Sequence, residues 1–266
     1  MALMRAYACL LVALMDGTAA AQTMVQVDQS IPEDSRDMVQ AVARDIYFEV
    51  LGLFQGRPPL DLPIAIYHSD LPITSLNDWS APTEIRIGTT VFEPRQFAFQ
   101  FSHEMGHVML DPRRNNGFVD AVCAALSLEV LSRLSVKWRT APPLPSLRSV
   151  DLLGYRKDTE SQALRDVPST ITDAVSNEDW TTVTAYLRDH RQEIEPGDDP
   201  RYRAMQTLAA LAILSKPVDW QTLRGIAACT EPDPKTDANF RVLPLRAGCL
   251  VRVRDIACRI GSACAP

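Results

Sequence analysis

Histidine is scarce in this chain, which contains four among its 266 residues. Positive charge is also in short supply, because 27 lysines and arginines are outnumbered by 33 aspartates and glutamates, for a formal net charge of -6. A surface that binds nucleic acid through its phosphates needs a basic excess. We therefore do not expect nucleic acid as a partner.

Long apolar runs are lacking beyond the N-terminus. There, Arg5 precedes an apolar run from Ala6 to Met15, and small residues follow as far as Ala21. This order is typical of a secretory signal peptide that is cleaved after Ala21. No later segment reaches the roughly 20 apolar residues that a membrane-spanning helix needs. We therefore expect residues 1–21 to be a signal peptide, and the mature chain to be periplasmic or secreted, without a membrane span.

Cysteine pairs with the C-x-x-C spacing of a structural zinc knot are absent as well. Cys123 lies in an apolar segment, where a buried free thiol is expected. In an exported chain, four cysteines gathered near one end predict two disulfides, in any of three pairings. These four are Cys229, Cys249, Cys258 and Cys264.

Hydrophobic periodicity predicts both a helix and strands in the first half of the chain. Apolar residues recur at helical spacing within 32–54, which indicates an amphipathic helix. Alternation and β-branched residues at 62–69 and 83–90 are typical of strands. We expect these two strands to share a small sheet.

The segment APPLP, at 141–145, is the clearest boundary in the chain. Beyond it, apolar residues repeat at helical spacing in three further stretches, near residues 180–187, 202–213 and 220–226. The sequence therefore predicts an α+β fold, in which a small sheet and its helices are followed by a mostly α-helical C-terminal lobe over 146–266.

The segment HEMGH places His103 and His107 four residues apart on a helix expected from Pro94 to Asp111, where Pro112 ends it. Residues four apart project to the same side of a helix, so the two histidines can bind one metal ion. The opposite face is apolar and is expected to be buried; it consists of Phe97, Phe101, Met105 and Val108.

Glu104 completes an H-E-x-x-H pattern, in which the glutamate acts as general base rather than as a metal ligand. Zinc lowers the pKa of its bound water to about 7, so that Glu104 could take a proton and a hydroxide could attack a carbonyl. Within the same helix, Gly106 costs roughly 1 kcal/mol relative to alanine. We expect the close approach of another helix to explain this glycine.

Two acids of the following apolar helix, expected over 118–134, could supply a third ligand. Asp120 and Glu129 are nine residues apart and therefore point to opposite sides, so only one can face the metal. Glu129 could instead pair with Arg133, four residues later. Asp120 could instead be stabilised in the first turn by the helix dipole. The residues alone leave both acids open.

Other polar residues have less specific roles. His68 and His190 lie far from the motif and are expected to be an ordinary strand-end and helix-end histidine. Asp111 precedes a proline and is expected to be a turn residue. Ser127 shares a helix face with Asp120 and could hydrogen-bond near the site, or simply ease helix packing. Candidates for a donor to a developing oxyanion are Tyr155, Tyr186, Tyr202 and His190, which the sequence does not rank.

The run 94–143 resembles the gluzincin metallopeptidases, in which H-E-x-x-H is followed by a second helix that brings a ligand carboxylate. In their aminopeptidase branch that helix opens with an aromatic residue, then an acid, then a small residue, which is similar to Phe118, Asp120 and Ala121. The run 118–143 also loosely resembles uncharacterised bacterial exported proteins that carry H-E-x-G-H.

The resemblance implies a zincin-like metallopeptidase domain over 22–145, with Zn²⁺ held by His103, His107 and Asp120. The family acid is glutamate, one methylene longer than aspartate, so the second helix is expected to pack closer here. By analogy with zincins, an extended peptide would add to strand 83–90 as an edge strand; an ordinary paired core strand is the alternative.

The leading hypothesis is therefore a zinc-dependent metallopeptidase that hydrolyses peptide bonds through a zinc-bound water activated by Glu104. Its partner would be a peptide or protein substrate. Two alternatives stay open, namely an inactive zincin scaffold that serves as a binding module, and a zinc hydrolase that acts on a non-peptide amide.

Overall fold

A computed structural model gives the fold, and it describes most of the chain between residues 24 and 261. The signal peptide expected at 1–21 lies outside the described residues, as do Cys229, Cys249 and Cys264 of the C-terminal cysteine cluster. The described residues are 24–59, 62–69, 73–76, 82–88, 92–112, 117–190, 193, 201–224, 226, 253 and 255–261.

One small sheet has four strands: β1 (Val25–Val27), β2 (Ile64–Ser69), β3 (Ile73–Leu76) and β4 (Thr83–Gly88). Their order is β1-β2-β4-β3. The first three strands in this order are parallel to one another, whereas β3 is antiparallel to β4. The expectation that β2 and β4 share a small sheet is confirmed, and the two strands are neighbours in it.

Alternation explains why β2 and β4 are strands. Ile66 pairs with Ile85 in register, and both are fully buried, as are Ile64 and Ile87. The side chain of Arg86 points to solvent between the two buried isoleucines of β4. One face of the sheet is therefore apolar and requires a covering layer, which the first two helices supply.

The helices make up most of the described chain, so the α+β class expected from the sequence is confirmed. No helix in this part of the chain is long and apolar enough to cross a membrane. Their bounds are α1 (Glu33–Phe54), α2 (Pro94–Leu110), α3 (Gly117–Thr140), a 3-10 helix (Pro145–Ser149), α4 (Leu152–Leu164), α5 (Ser169–Ser176), α6 (Trp180–Asp189), α7 (Arg201–Leu214) and α8 (Trp220–Leu223).

Helix α2 follows β4 and begins as the sequence predicts. Pro94 occupies the first turn, and the side chain of Glu93 caps the helix by accepting a hydrogen bond from the backbone N–H of Gln96 at 2.9 Å. The side chain of Gln100 donates to the carbonyl of Gly88 at 3.2 Å. The expected apolar face, including Phe97 and Phe101, is fully buried. These contacts fix α2 against the end of β4.

Helix α3 is the central element of the helical layer. It is buried along nearly its whole length, because it packs against α1, α2, α4 and α7. This environment explains why its sequence is apolar on almost every side. The helix runs to Thr140, six residues beyond the expected end at Leu134. The buried core is continuous from the sheet to α7.

Residues near the C-terminus contact the end of α7. The guanidinium of Arg259 donates to the carbonyls of Ile213 at 2.6 Å and Lys216 at 3.1 Å, which lie where α7 ends. These carbonyls have no partner within the helix. The neighbouring Cys258 is disulfide-bonded, whereas the pairing pattern of the cluster stays a prediction. The C-terminal segment thus caps the helix that packs on α3.

Candidate metal centre

His103 and His107 lie one turn apart on α2, and their side chains converge as the spacing predicts. Their Nε2 atoms are 3.3 Å apart. The side chain of His103 is 24% exposed, whereas that of His107 is 10% exposed. The two histidines therefore direct their Nε2 atoms toward one point. Because His103 is the more exposed of the two, solvent reaches this point from the side of His103.

Asp120 in the first turn of α3 faces the same point. Its Oδ1 atom lies 3.1 Å from His107 Nε2 and 3.8 Å from His103 Nε2. The three side chains form a group whose donor atoms could hold a metal ion. At the N-terminus of a helix the macrodipole stabilises a carboxylate, so Asp120 is favoured in its ionised form.

The donor atoms fit the geometry of a zinc site. Zinc in proteins is tetrahedral, with nitrogen and oxygen ligands at about 2.0–2.2 Å, so its ligand atoms lie about 3.3 Å from one another. The separations here are 3.1, 3.3 and 3.8 Å. Two imidazoles and one carboxylate are a donor set that suits zinc and leaves a fourth position open. These residues therefore fit a divalent transition metal.

Glu129 takes no part in this group. Its Oε1 atom accepts a hydrogen bond from Arg133 Nε at 2.7 Å, and Arg133 also lies 3.5 Å from Glu49 of α1. This is the ion pair that its spacing to Arg133 allows. Of the two acids that the sequence leaves open, the structure brings Asp120 to the histidines and pairs Glu129 with Arg133.

The close approach of α2 and α3 explains Gly106. A Cβ atom at this position would lie 2.7 Å from the sulfur and 3.1 Å from the Cα of Cys123. The expectation that another helix approaches this glycine is confirmed. The short Asp120 side chain reaches the histidines because the two helix backbones are so close.

The charges within the group are coupled. Burial raises the pKa of Asp120, but hydrogen bonds and charge from His103 and His107 outweigh burial, so this pKa lies below its ordinary value. Burial lowers the pKa of His107, whereas Cys123 and Asp120 raise it, and the balance lies well above the ordinary value. Both shifts favour the charged forms, a carboxylate at Asp120 and an imidazolium at His107, and a metal cation that binds these side chains would take the place of the proton on His107.

Glu104 is buried on α2, in the turn that carries the two histidines. Its charge contributes to raising the pKa of both Cys123 and Tyr202, which places its carboxylate near the same cluster. The general-base role that the H-E-x-x-H pattern predicts for Glu104 stays a prediction.

Tyr202 is the one oxyanion-donor candidate that reaches the donor group. Its hydroxyl donates to Asp120 Oδ2 at 2.8 Å. By contrast, Tyr155 packs edge-on against Phe99, and the ring of Tyr186 stacks on that of His190. The sequence names Tyr202 without ranking it, because the contact joins residues 82 positions apart and leaves no local pattern.

The remaining polar candidates have ordinary roles. His68 packs edge-on against Phe92, His190 caps the end of α6, and Asp111 caps the end of α2. The hydroxyl of Ser127 donates to the carbonyl of Cys123, one turn earlier in its own helix, at 3.1 Å. The proton of Ser127 is therefore used within α3, as expected of a small residue that eases packing.

The analogy that makes strand 83–90 an edge strand is wrong. β4 is paired on both sides, with β2 and with β3, and the outer strands among the described residues are β1 and β3. The alternative of an ordinary paired core strand is confirmed. Strand β3 has the sequence ITSL, in which apolar and polar residues do not alternate, so it lacks the pattern that identifies strands in a sequence.

One contact of the site is not anticipated by the sequence. The buried thiol of Cys123 influences the pKa of His107 and therefore lies near it, and it is a free thiol as expected. Cys123 follows Asp120 by three residues and so shares its helix face. That spacing is the signal that could have placed the thiol beside the histidines.

Comparisons with known proteins return no relative. No protein-family model matches the chain, and neither does any curated protein or solved structure.

Proposed function

We propose that the protein is a zinc-dependent metallopeptidase of gluzincin type, with a zincin-like site on α2 and α3. The observation that carries the proposal is the convergence of His103, His107 and Asp120 at zinc-ligand spacing. The apolar run within the first 21 residues supports an exported enzyme. A peptide or protein is the proposed substrate, because H-E-x-x-H sites of this type hydrolyse peptide bonds.

Each side chain of the site has a role in this proposal. His103, His107 and Asp120 would hold the metal, and Glu104 would accept a proton from the attacking water and pass it to the leaving amine. Zinc, when bound, supplies a Lewis acid that makes water acidic enough to be deprotonated near neutral pH. The substrate would approach from the side of His103, which is the more exposed of the two histidines.

The proposal is tested by the substitution Glu104→Gln, which keeps the size of the side chain and removes its basicity. The mature chain is incubated with a mixed peptide library, and cleavage is followed by mass spectrometry. We expect wild type to cleave and Glu104→Gln to lose at least about 100-fold in rate, the lower end of what general bases contribute, while zinc content is unchanged. Glu129→Gln is the matched control and should cleave like wild type.

A second candidate is a metal-binding scaffold without catalysis. It is favoured by the engagement of the Tyr202 hydroxyl with Asp120, because a hydroxyl has one proton and this one is not available to an oxyanion. The same experiment separates the two functions. Equal inactivity of wild type and Glu104→Gln, with full zinc content in both, would contradict the metallopeptidase and support the scaffold.

A further inference from the structure

The two oxygens of Asp120 have different partners. Oδ1 faces His103 and His107, whereas Oδ2 accepts the hydrogen bond from Tyr202 at 2.8 Å. The terminal torsion of an aspartate is broad, so the carboxylate does not hold one orientation by itself. The hydroxyl of Tyr202 fixes which oxygen turns toward the histidines.

Tyr202 is itself held in place by the packing of α7 on α3. It lies in the first turn of α7, and Gln206, one turn later, donates to the carbonyl of Gly117 at 3.4 Å. Met205 and Leu208 of the same helix are buried in the core. The first two turns of α7 are therefore joined at two points to the first turn of α3, where Asp120 lies.

We propose that Tyr202 is a positioning residue for the metal ligand Asp120, so that the metal site is completed by a helix from the C-terminal half of the chain. The inference rests on the proposed role of Asp120 as a ligand. Hydrogen bonds to a ligating group orient it, and their loss typically weakens metal affinity 10- to 100-fold. Tyr202 acts through Asp120 and does not contact substrate.

This role differs in a measurable way from that of an oxyanion donor. The hydroxyl of Tyr202 has one proton, and that proton is directed to Asp120 Oδ2. Loss of the hydroxyl should therefore weaken metal binding and leave turnover at saturating zinc nearly unchanged, whereas loss of an oxyanion donor lowers kcat by about 100-fold or more.

The test is Tyr202→Phe in the mature full-length chain, which removes one oxygen and keeps the buried ring. Zinc affinity is measured by competition with a chromophoric chelator. We expect a 10- to 100-fold weaker zinc affinity with one zinc per chain still bound at saturation. Tyr186→Phe is the matched control, since Tyr186 stacks on His190 away from the donor group, and should bind zinc like wild type.

A double-mutant cycle with Asp120→Ala keeps the inference testable if Tyr202→Phe also changes stability. In the Asp120→Ala background, removing the Tyr202 hydroxyl should have no further effect on residual zinc affinity. The effects of two substitutions are not additive when both remove the same contact. If Tyr202→Phe bound zinc as tightly as wild type, or if the losses in the double variant were additive, the positioning role of Tyr202 would be overturned. The assignment of His103, His107 and Asp120 as ligands would still stand. Absence of zinc binding by wild type would overturn the proposed function as well.

Discussion

At the scale of single residues, Gly106 has two opposing effects on stability. Replacing a glycine inside a helix by alanine favours the helix by roughly 1 kcal/mol. At this position, however, the added Cβ would lie 2.7 Å from the Cys123 sulfur and 3.1 Å from its Cα. A backbone atom cannot yield as a flexible side chain can, so the two helices would have to separate.

We therefore predict that Gly106→Ala lowers the free energy of unfolding by up to about 2 kcal/mol, since overpacking costs about 1–3 kcal/mol and the better helix propensity of alanine offsets about 1 kcal/mol. Urea denaturation measures the change. Gly52→Ala is the matched control, because Gly52 lies in α1 and a Cβ added there would meet nothing within 4 Å. This control should stabilise the fold by about 0.5–1 kcal/mol. Equal stabilisation by both substitutions would show that α2 and α3 are not in close contact.

The angular positions of side chains around a helix axis explain which parts of the site could be predicted from the sequence. The spacing of His103 and His107 predicts their convergence, and the nine residues between Asp120 and Glu129 predict that one acid faces away. Which acid faces the histidines depends on how α3 packs, and this depends on contacts with α1 and α2. Such contacts are tertiary and are not contained in the local pattern.

At the scale of elements, α1 and α3 are joined by polar contacts as well as by apolar packing. Asp45 of α1 accepts a hydrogen bond from the indole N–H of Trp138 at 2.7 Å and pairs with Lys137 at 2.6 Å. Trp138 is almost completely buried. Its N–H would lose its partner inside the protein if Asp45 were removed.

Asp45→Ala is therefore predicted to destabilise the fold by about 1–3 kcal/mol, which is the usual penalty for a buried donor without a partner. Thermal or urea unfolding provides the measurement. Asp37→Ala removes an exposed acid from the same helix and should change the free energy of unfolding by no more than about 0.5 kcal/mol. Indistinguishable unfolding curves for the two variants would argue against a structural role for the Asp45 contact.

Elements with strong periodicity were predictable, and short or nonlocal ones were not. The limits of α2 follow from Pro94 and Pro112, and the strand assignments of β2 and β4 follow from alternation and β-branched content. Strand β1 has three residues, too few for a recognisable period, and the four residues of β3 do not alternate. The inner position of β4 arises from sheet topology, which alternation within one strand does not encode.

At the scale of the whole molecule, metal binding and folding are linked. The donor atoms come from α2 and α3 and are brought together only by the folded chain, so a metal that binds this group stabilises the native state. A ligand at 100 times its Kd contributes about 2.7 kcal/mol. In a chain of this size each kcal/mol shifts Tm by about 2–4 °C.

We predict that saturating zinc raises Tm by about 5–10 °C, that a chelator reverses the shift, and that Mg²⁺ at the same concentration has little effect, since two imidazoles suit zinc better than magnesium. Differential scanning calorimetry measures these shifts. In Asp120→Ala the zinc-induced shift should largely disappear. A shift of the same size in wild type and Asp120→Ala would place the stabilising zinc elsewhere.

Zinc stoichiometry tests the central claim most directly. The mature wild type, Asp120→Ala and Glu129→Ala are dialysed against limiting zinc at neutral pH, and bound metal is counted by plasma mass spectrometry. The geometry of His103, His107 and Asp120 predicts about one zinc per chain in wild type and Glu129→Ala, and a large loss in Asp120→Ala. Wild type without zinc, or zinc retained by Asp120→Ala and lost by Glu129→Ala, would contradict the account.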